Sequence, residues 1–398
     1  MRRLLSDRNF ATYFIARQCA IGAFGIESAA IAWQIWLLRH SAFDLGLIGL
    51  ILFVPALVLA LPAGYLADRF DRKIVSALGS TAEMLALGIF IALSLSGTHS
   101  IVAYFAAIFL IGIVHALGVA AERSLLTNIV DRATFVRAAA LSQSANQVVT
   151  VLAPAVAGVL IAITTSVAFV VAAALYGAAA AGFAFLPRSE SEDEEKPTLR
   201  SSLDGLRYIW RQKVVLGAIS LDLFAVLFGG AVALLPIYAT HILHVGPAGF
   251  GALRAASGVG AAMVAAIIAR HPLRRRLGPL LFWCVAGFGV ATILFGVSKA
   301  FWFSLFMLAV AGGFDMVSMV IRNVLVQLGT PNHMRGRVSS VENVFIGASN
   351  ELGAFESGAV AAWLGAETSV VIGGIGTLIV IALWAWLFPK LRSFDAVA

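Results

Sequence analysis

The segment Gly64-Tyr65-Leu66-Ala67-Asp68-Arg69-Phe70-Asp71-Arg72-Lys73 decides how the rest of the chain is interpreted. It places two Asp and three basic residues within the six positions from 68 to 73. The apolar segments on both sides are long enough to cross a bilayer, which takes about 20 residues. Because charge is costly inside a membrane, a segment this polar has to lie at a water-facing surface. The sequence therefore predicts a short loop between two membrane spans.

The composition indicates a polytopic membrane protein. Of the 398 residues, 60% are hydrophobic and 12% are charged, and the mean hydropathy is +0.93. Soluble domains carry roughly 25% charged residues. The net charge of +7 would point to nucleic acid in a soluble protein, but here the basic residues lie in short loops. Cys19 and Cys284 lie far apart in apolar segments, so we expect no disulfide framework.

Twelve membrane-spanning helices are predicted when about 20 apolar residues are counted per span. They cover Asn9–Leu38, Ala42–Leu66, Ile74–Ser96, Ile101–Ala121, Ala138–Ile163, Val167–Leu186, Val214–Ile242, Ala248–Ala269, Leu277–Val297, Ala300–Leu328, Val338–Leu364 and Ser369–Phe388. We expect an all-α fold of two pseudo-symmetric six-helix bundles. The N-terminal bundle covers residues 1–186, a cytoplasmic linker with an amphipathic helix covers 187–213, and the C-terminal bundle covers 214–398.

The distribution of Lys and Arg predicts the orientation. On these spans, 24 of the 28 Lys and Arg residues lie on one side and only Arg39 and Lys299 on the other. Basic loops stay in the cytoplasm, so we expect both termini there. In the linker, apolar residues recur at helical spacing, which predicts a helix lying on the lipid surface. They are Leu199, Leu203, Leu206 and Trp210. A plain tether is the alternative.

An internal repeat supports the division into two halves. Arg123-Ser124-Leu125-Leu126-Thr127-Asn128 recurs 199 positions later as Arg322-Asn323-Val324-Leu325-Val326-Gln327, with Arg, Leu and an amide in register. Halves of six helices with weak similarity to each other are typical of duplicated transporter folds.

The segment Gly64-x-x-x-Asp68-Arg69-x-x-Arg72-Lys73 resembles the loop signature of the major facilitator superfamily. Asp71 stands where that signature usually has glycine, as in the drug–proton antiporter branch that includes enterobactin and macrolide exporters. Three further segments resemble the same branch. They are Asp7-Arg8-Asn9-Phe10, Thr330-Pro331-x-x-Met334-Arg335-Gly336-Arg337-Val338 and Ser349-Asn350-Glu351-Leu352-Gly353.

The resemblance implies a cytoplasmic gate. Asp68 would face the N-terminus of the eleventh helix near Arg337, and Arg72 would pair with Glu122 or Asp131. Gly64 would let the two helices approach each other, and Arg69 would serve orientation. The alternative is a tight turn whose charges only set topology. The corresponding loop of the second half, around Arg274, carries no acid, so we expect a single gate.

Charged or titratable side chains within the predicted spans are candidates for a proton or substrate pathway, because they are costly there. The candidates are Glu27, Asp222, Asp315, Arg254, Arg17 and His115. A buried carboxylate that lacks a compensating charge readily takes up a proton, as proton-coupled export requires. The alternative is an acid held permanently by a neighbour, and for Asp315 we expect that neighbour to be Arg322. Arg254 needs an acid or an anionic substrate group, His115 fits a hydrogen-bonded scaffold role better than a titrating one, and Glu83 is expected to be peripheral.

The expected function is secondary export of an amphiphilic small molecule, a drug or a siderophore, driven by a proton gradient through alternating access. Candidate cavity residues are Trp33, Gln34, Phe224, Phe228 and Tyr238. The sequence carries no P-loop, metal-ligand spacing or nucleophile elbow, so we expect no enzyme, no cofactor and no metal. We expect a functional monomer in the bilayer with no nucleic-acid partner. Alternatives are an uptake permease, a lysolipid-type flippase, and a membrane sensor or scaffold that transports nothing.

Overall fold

The structure, a computed structural model, describes Leu4 and residues 7–187, 199–273 and 275–395. Within these ranges only the backbone is described at positions 60–61, 63–68, 119–120, 123–124, 128, 132–133, 199–203 and 333. The side-chain surroundings of the predicted gate residues Gly64 and Asp68 therefore lie outside the described part, as does the acidic run of the linker.

Twelve long helices follow the predicted spans in the described ranges, with one more helix in the linker. The first six are α1 (Arg8–Arg39), α2 (Ala42–Arg69), α3 (Arg72–Leu95), α4 (Ile101–Ile129), α5 (Arg132–Ile163) and α6 (Thr165–Ala184). The linker helix covers Leu199–Arg211. The last six are α7 (Lys213–Phe228), α8 (Gly246–Arg270), α9 (Leu277–Gly296), α10 (Phe301–Gly329), α11 (Arg335–Leu364) and α12 (Ala366–Leu387).

Among the described residues, 11 segments are long and apolar enough to cross a membrane, with α7 and the irregular turns that follow it counted as one span, Lys213–Ile242. Helices suit this environment because they satisfy their backbone hydrogen bonds internally. The exception is α11, whose 30 residues include Glu342, Glu351 and Glu356. It nevertheless packs against α7 and α12 as a member of the same bundle.

The predicted seventh span is not one regular helix. After Phe228 the chain passes through a 3₁₀ turn at Ala231–Leu234, a short α-helical segment and a π-helical turn at Tyr238–Ile242. The break coincides with Gly229 and Gly230, and a Cβ at Gly230 would lie 2.5 Å from the carbonyl oxygen of Gly353. Glycine is needed here because α7 and α11 approach each other closely.

Aspartates cap two of the helices that the sequence motifs had singled out. The carboxylate of Asp7 accepts the backbone N–H of Asn9 at 2.8 Å at the start of α1. The carboxylate of Asp71 accepts the N–H of Lys73 at 3.1 Å at the start of α3. An N-cap satisfies a donor that the first turn leaves unpaired. Asp71 thus has a local structural role that glycine cannot supply.

The chain divides into two compact units, each with its own core. Unit 1 comprises Met1–His40 and Ile51–Lys196, and unit 2 comprises Ser41–Leu50 and Pro197–Ala398. In unit 1, Phe10, Tyr13 and Phe183 form a buried cluster. In unit 2, Leu221, Phe282 and Trp384 belong to the corresponding cluster. Small residues allow close packing, and in unit 1 a Cβ at Gly25 would lie 2.6 Å from that of Ala153.

The linker helix docks on unit 2, of which it is part. The hydroxyl of Tyr208 donates to the carbonyl oxygen of Gly329 at 2.5 Å, and Ile209 is buried beside Val338. Gly205 lies against the backbone of Arg337, where a Cβ would come within 2.8 Å of the carbonyl oxygen. One face of the linker helix thus packs on protein, and the contact of its exposed face, which carries Trp210, with lipid stays a prediction.

Candidate functional site

Among the acids of unit 1 that the structure describes, Glu27 is the most deeply buried. It lies on α1 with 1% of its surface exposed, and the hydroxyl of Tyr176 on α6 donates to its Oε2 at 2.8 Å. Its Oε1 has no hydrogen-bond partner among the described residues. The sequence-predicted candidate therefore sits in the interior of the bundle, held by a neutral donor.

Glu83 on α3 and His115 on α4 form a second buried pair. Nδ1 of His115 lies 3.3 Å from Oε1 of Glu83, and the His115 ring stacks on Phe24 with the ring centroids 4.5 Å apart. Glu83 is 4% exposed, so the expectation that it is peripheral is wrong. Sequence reasoning missed it because an acid among apolar residues does not reveal which side of its helix is covered.

Arg17 on α1 and Glu122 on α4 form a further polar contact in unit 1, with Arg17 Nη1 3.6 Å from Glu122 Oε2. The resemblance had offered Glu122 or Asp131 as the partner of Arg72. Glu122 is engaged by Arg17, and Asp131 lies exposed at the N-cap of α5. Arg72 is half-buried and has its own interactions, so its role in a gate stays a prediction.

These three contacts form one array, which we call the acidic array of unit 1: Glu27, Glu83, Glu122, His115, Arg17 and Tyr176. Glu27 interacts electrostatically with Glu83, and Glu83 with Glu122. Arg17 is the array's single permanent cation. A low-dielectric interior penalises uncompensated charge, so such an array favours binding protons.

Unit 2 arranges its buried charge around Arg322 on α10. The guanidinium contacts the carboxylate of Asp222 on α7, and its Nε lies 3.4 Å from Oε1 of Glu342 on α11. All three residues are buried. The pairing expected from sequence, Arg322 with Asp315, is corrected: Arg322 reaches two neighbouring helices instead, while Asp315 is exposed on α10.

Arg254 on α8 is also matched within unit 2. It interacts electrostatically with Glu351 on α11, so the acid that the sequence required is present. The candidates Asp222 and Arg254 therefore have different partners within unit 2, Arg322 and Glu351 respectively.

The described gate candidates have separate local partners. Arg69 is exposed at the end of α2 and has its own interactions. Lys73 Nζ donates to the carbonyl oxygen of Leu186 at 2.9 Å, which ties the start of α3 to the end of α6. Arg337 Nη1 lies 3.7 Å from Oδ2 of Asp204 in the linker helix. The positions of Gly64 and Asp68 in a gate stay predictions.

Two aromatic cavity candidates are packed into the bundles. Tyr238 is fully buried, its hydroxyl donates to the carbonyl oxygen of Gly296 at 2.9 Å, and its ring stacks on Phe295. Trp33 is buried as well. The structure thus does not place Trp33 or Tyr238 at an accessible surface, because neighbouring side chains cover them.

The remaining cavity candidates are half-buried. Phe224 and Phe228 pack against the core of unit 2, with the Phe224 ring centroid 5.2 Å from that of Trp384. Gln34 is hydrogen-bonded to Tyr104 within unit 1. Among the residues that the structure describes, no group of three His, Cys, Asp or Glu side chains has the geometry to hold a metal ion.

Comparisons with known proteins agree with this architecture. The chain is 27% identical to the enterobactin exporter EntS of Citrobacter koseri, over 97% of this chain and 93% of that one. It is 28% identical to the protein of the same name from Shigella boydii serotype 18, with the same coverage. These relatives indicate a transporter and not an enzyme.

Solved structures share the fold at low identity. A mutant of the nucleoside transporter NupG aligns with a TM-score of 0.78 at 12% identity, covering 96% of this chain and 100% of that one. A bacterial homologue of the human lysosomal transporter Spinster aligns with a TM-score of 0.76 at 13% identity, covering 97% and 98%. The family model of the Major Facilitator Superfamily matches residues 13–354. The chain, a multi-pass membrane protein with the fold that its sequence predicts, therefore belongs to the major facilitator superfamily.

Proposed function

We propose that this protein exports an amphiphilic small molecule, foremost a siderophore of the enterobactin kind, in exchange for protons. The similarity to the enterobactin exporters extends over 97% of the chain, which supports a shared substrate class. Alternating access about a site near the bilayer midplane is how folds of two helical repeats transport solutes.

One observation carries the proton coupling. The acidic array of unit 1 holds three carboxylates against one arginine, and Glu27 and Glu83 are almost completely buried. Ionisable groups at membrane depth are characteristic of proton pathways, because their cost is otherwise selected against. Protonation of these carboxylates would lower the free-energy cost of burying them, and release of the protons would raise that cost again.

The orientation and the gate belong to the same proposal. With 24 of the 28 Lys and Arg residues on one predicted side, both termini lie in the cytoplasm and the membrane is the bacterial inner membrane. Asp68 is the working residue of the cytoplasmic gate, and the monomer is the functional unit. Export then runs outward while protons move inward.

Transport by the purified full chain in proteoliposomes tests the proposal, with enterobactin as the probe. An antiporter accumulates the probe in liposomes whose lumen is acidic, because protons leaving the lumen drive the probe in. A protonophore should abolish that accumulation, and empty liposomes treated identically set the baseline. Accumulation that ignores the pH gradient would reject proton coupling.

The direction of the effective gradient separates the alternatives. An uptake permease that carries substrate and proton together would accumulate the probe when the outside is acidic. A flippase for lysolipids would move a fluorescent lysolipid and leave enterobactin untouched. If neither probe moves under any gradient, the export function itself is refuted.

A further inference from the structure

We propose that Glu83 and His115 are the pair through which unit 1 binds and releases the coupling proton. This inference rests on the proposed proton-driven export and names the groups that perform the coupling. The pair joins α3 to α4, two helices packed against each other, with Nδ1 of His115 3.3 Å from Oε1 of Glu83.

The two partners differ in how far they are covered. The side chain of Glu83 is 5% exposed, whereas that of His115 is 36% exposed. A proton can therefore reach the ring from its accessible side and the carboxylate only from the ring. Imidazole suits this task, because its two nitrogens allow a proton to arrive at one and leave from the other.

The proton transfer balances without any further reactant. The neutral ring, which carries its proton on Nδ1, takes a proton at Nε2 from a hydronium ion, which leaves as water. The resulting imidazolium donates its Nδ1 proton to the ionised Oε1 of Glu83. The ring is then neutral again and Glu83 is a neutral carboxylic acid. Release reverses each step: Oε1 returns its proton to Nδ1, and the proton on Nε2 leaves to water.

Glu83 is singled out by what surrounds the other two carboxylates of the array. Glu27 accepts a hydrogen bond from Tyr176 on α6, and Glu122 is paired with Arg17 on α1. Apart from the contact with His115, neither carboxylate oxygen of Glu83 has a hydrogen-bond partner among the described residues. Its charged form is thus the least supported of the three, and the neighbouring charges of Glu27 and Glu122 oppose it further.

The buried face of α3 carries further polar side chains on the N-terminal side of Glu83. Ser76 and Ser80 lie seven and three residues before it, so all three share one face of the helix. Both serines are buried, with hydroxyls that lack a hydrogen-bond partner among the described residues. Packing alone does not require polar side chains on a buried helix face. The polar face of α3 is therefore consistent with a proton site.

Two transport assays on the reconstituted full chain test the pair. Driven accumulation uses a pH gradient with an acidic lumen, and counterflow exchanges labelled for unlabelled enterobactin at equal pH, which needs no net proton movement. We expect Glu83→Gln to lose driven accumulation to the level of empty liposomes while keeping counterflow. His115→Gln should weaken driven accumulation in the same selective way. Driven accumulation by Glu83→Gln at the wild-type level would overturn the proposal.

A matched control uses another acid in the membrane region. Glu356 on α11 is half-buried, accepts a hydrogen bond from the hydroxyl of Ser357 and lies outside the acidic array. Glu356→Gln makes the same chemical change, and we expect both assays to match the wild type. Loss of driven accumulation in this variant as well would show that any such substitution uncouples transport, and would overturn the specific assignment.

An infrared pH titration of the protein without substrate separates this proposal from the export function. On acidification the wild type should develop the C=O stretching band of a protonated carboxylic acid, and Glu83→Gln should lose part of that band. If the wild type shows no driven transport, proton-driven export is refuted. The infrared titration still tests whether Glu83 and His115 bind a proton. If Glu83→Gln does not fold, the same titration of His115→Gln, expected to shift the band's midpoint, takes its place, and an unshifted band contradicts the pair.

Discussion

The buried charges of unit 1 and unit 2 differ in what holds them. In unit 1, Glu27 contacts Tyr176 and Glu83 contacts His115. Neither partner carries a permanent charge, so these contacts change when a proton is gained or lost. In unit 2 Asp222 and Glu342 both contact Arg322, which stays charged under all ordinary conditions. The first arrangement leaves charge adjustable, and the second makes it permanent.

This difference assigns different tasks to the two units. A permanent arginine between two acids stabilises one helix arrangement, because removing the arginine leaves two buried carboxylates without a cation. Acids with titratable or neutral partners can gain and lose protons without breaking the bundle. Unit 1 is therefore the unit suited to coupling, and unit 2 provides a fixed frame of α7, α10 and α11.

The largest effect is expected for Arg322→Met. It leaves two buried carboxylates without their cation, which should lower the free energy of unfolding by about 3–5 kcal/mol. Thermal unfolding in detergent measures this, with Arg322→Lys as the charge-preserving control. Adding Asp222→Asn and Glu342→Gln should restore much of the loss. A near-wild-type Arg322→Met would show that unit 2 does not depend on this cluster.

The next effect compares the same substitution in the two units. Tyr176→Phe removes a hydrogen bond to a carboxylate and should cost about 1–3 kcal/mol, whereas Tyr238→Phe removes one to a backbone carbonyl and should cost about 1 kcal/mol. The tyrosine hydroxyl supports the ionised form of Glu27. The cost of Tyr176→Phe should therefore grow as pH rises, while that of Tyr238→Phe stays constant. Measuring the free energy of unfolding across pH checks this. Equal costs that do not vary with pH would contradict the proposed contrast between the two units.

A smaller effect is expected for the ion pair between the linker helix and α11. Arg337 and Asp204 pair at 3.7 Å with side chains 38% and 41% exposed. Exposed pairs contribute about 0–1 kcal/mol, so Asp204→Asn should lower stability by less than about 1 kcal/mol. The buried Ile209 provides the contrast, since Ile209→Ala should cost about 2–5 kcal/mol. Thermal unfolding of the two variants shows whether packing or charge holds the linker helix.

The smallest effect on stability is expected for Asp68→Ala, which should nevertheless reduce transport. The prediction comes from the loop signature, where Asp68 acts in the gate and the corresponding loop of the second half has no acid. Melting temperature and driven accumulation should be measured on the same preparation. Full transport by Asp68→Ala would remove the functional asymmetry between the two loops.

Much of the architecture was predictable from the sequence. Apolar segments of membrane-spanning length predicted the helices, and Asp7 and Asp71 stand where α1 and α3 begin. Helix length and capping depend on residues close together in the chain, so a linear pattern contains the information. The irregular end of α7 was missed, because glycine is needed at position 230 only through its close contact with Gly353, which is distant in sequence.

The sequence by itself determined that this protein is a helical membrane transporter of two halves, and which charged residues lie within its helices. Only the tertiary structure decided their partners: Glu83 with His115, Arg322 with Asp222 and Glu342, and the linker helix with α11. The physical reason is that membrane helices are apolar all round, so periodicity does not distinguish a buried face from a lipid-facing one. The rotation of each helix against its neighbours, set by packing, decides which charges meet.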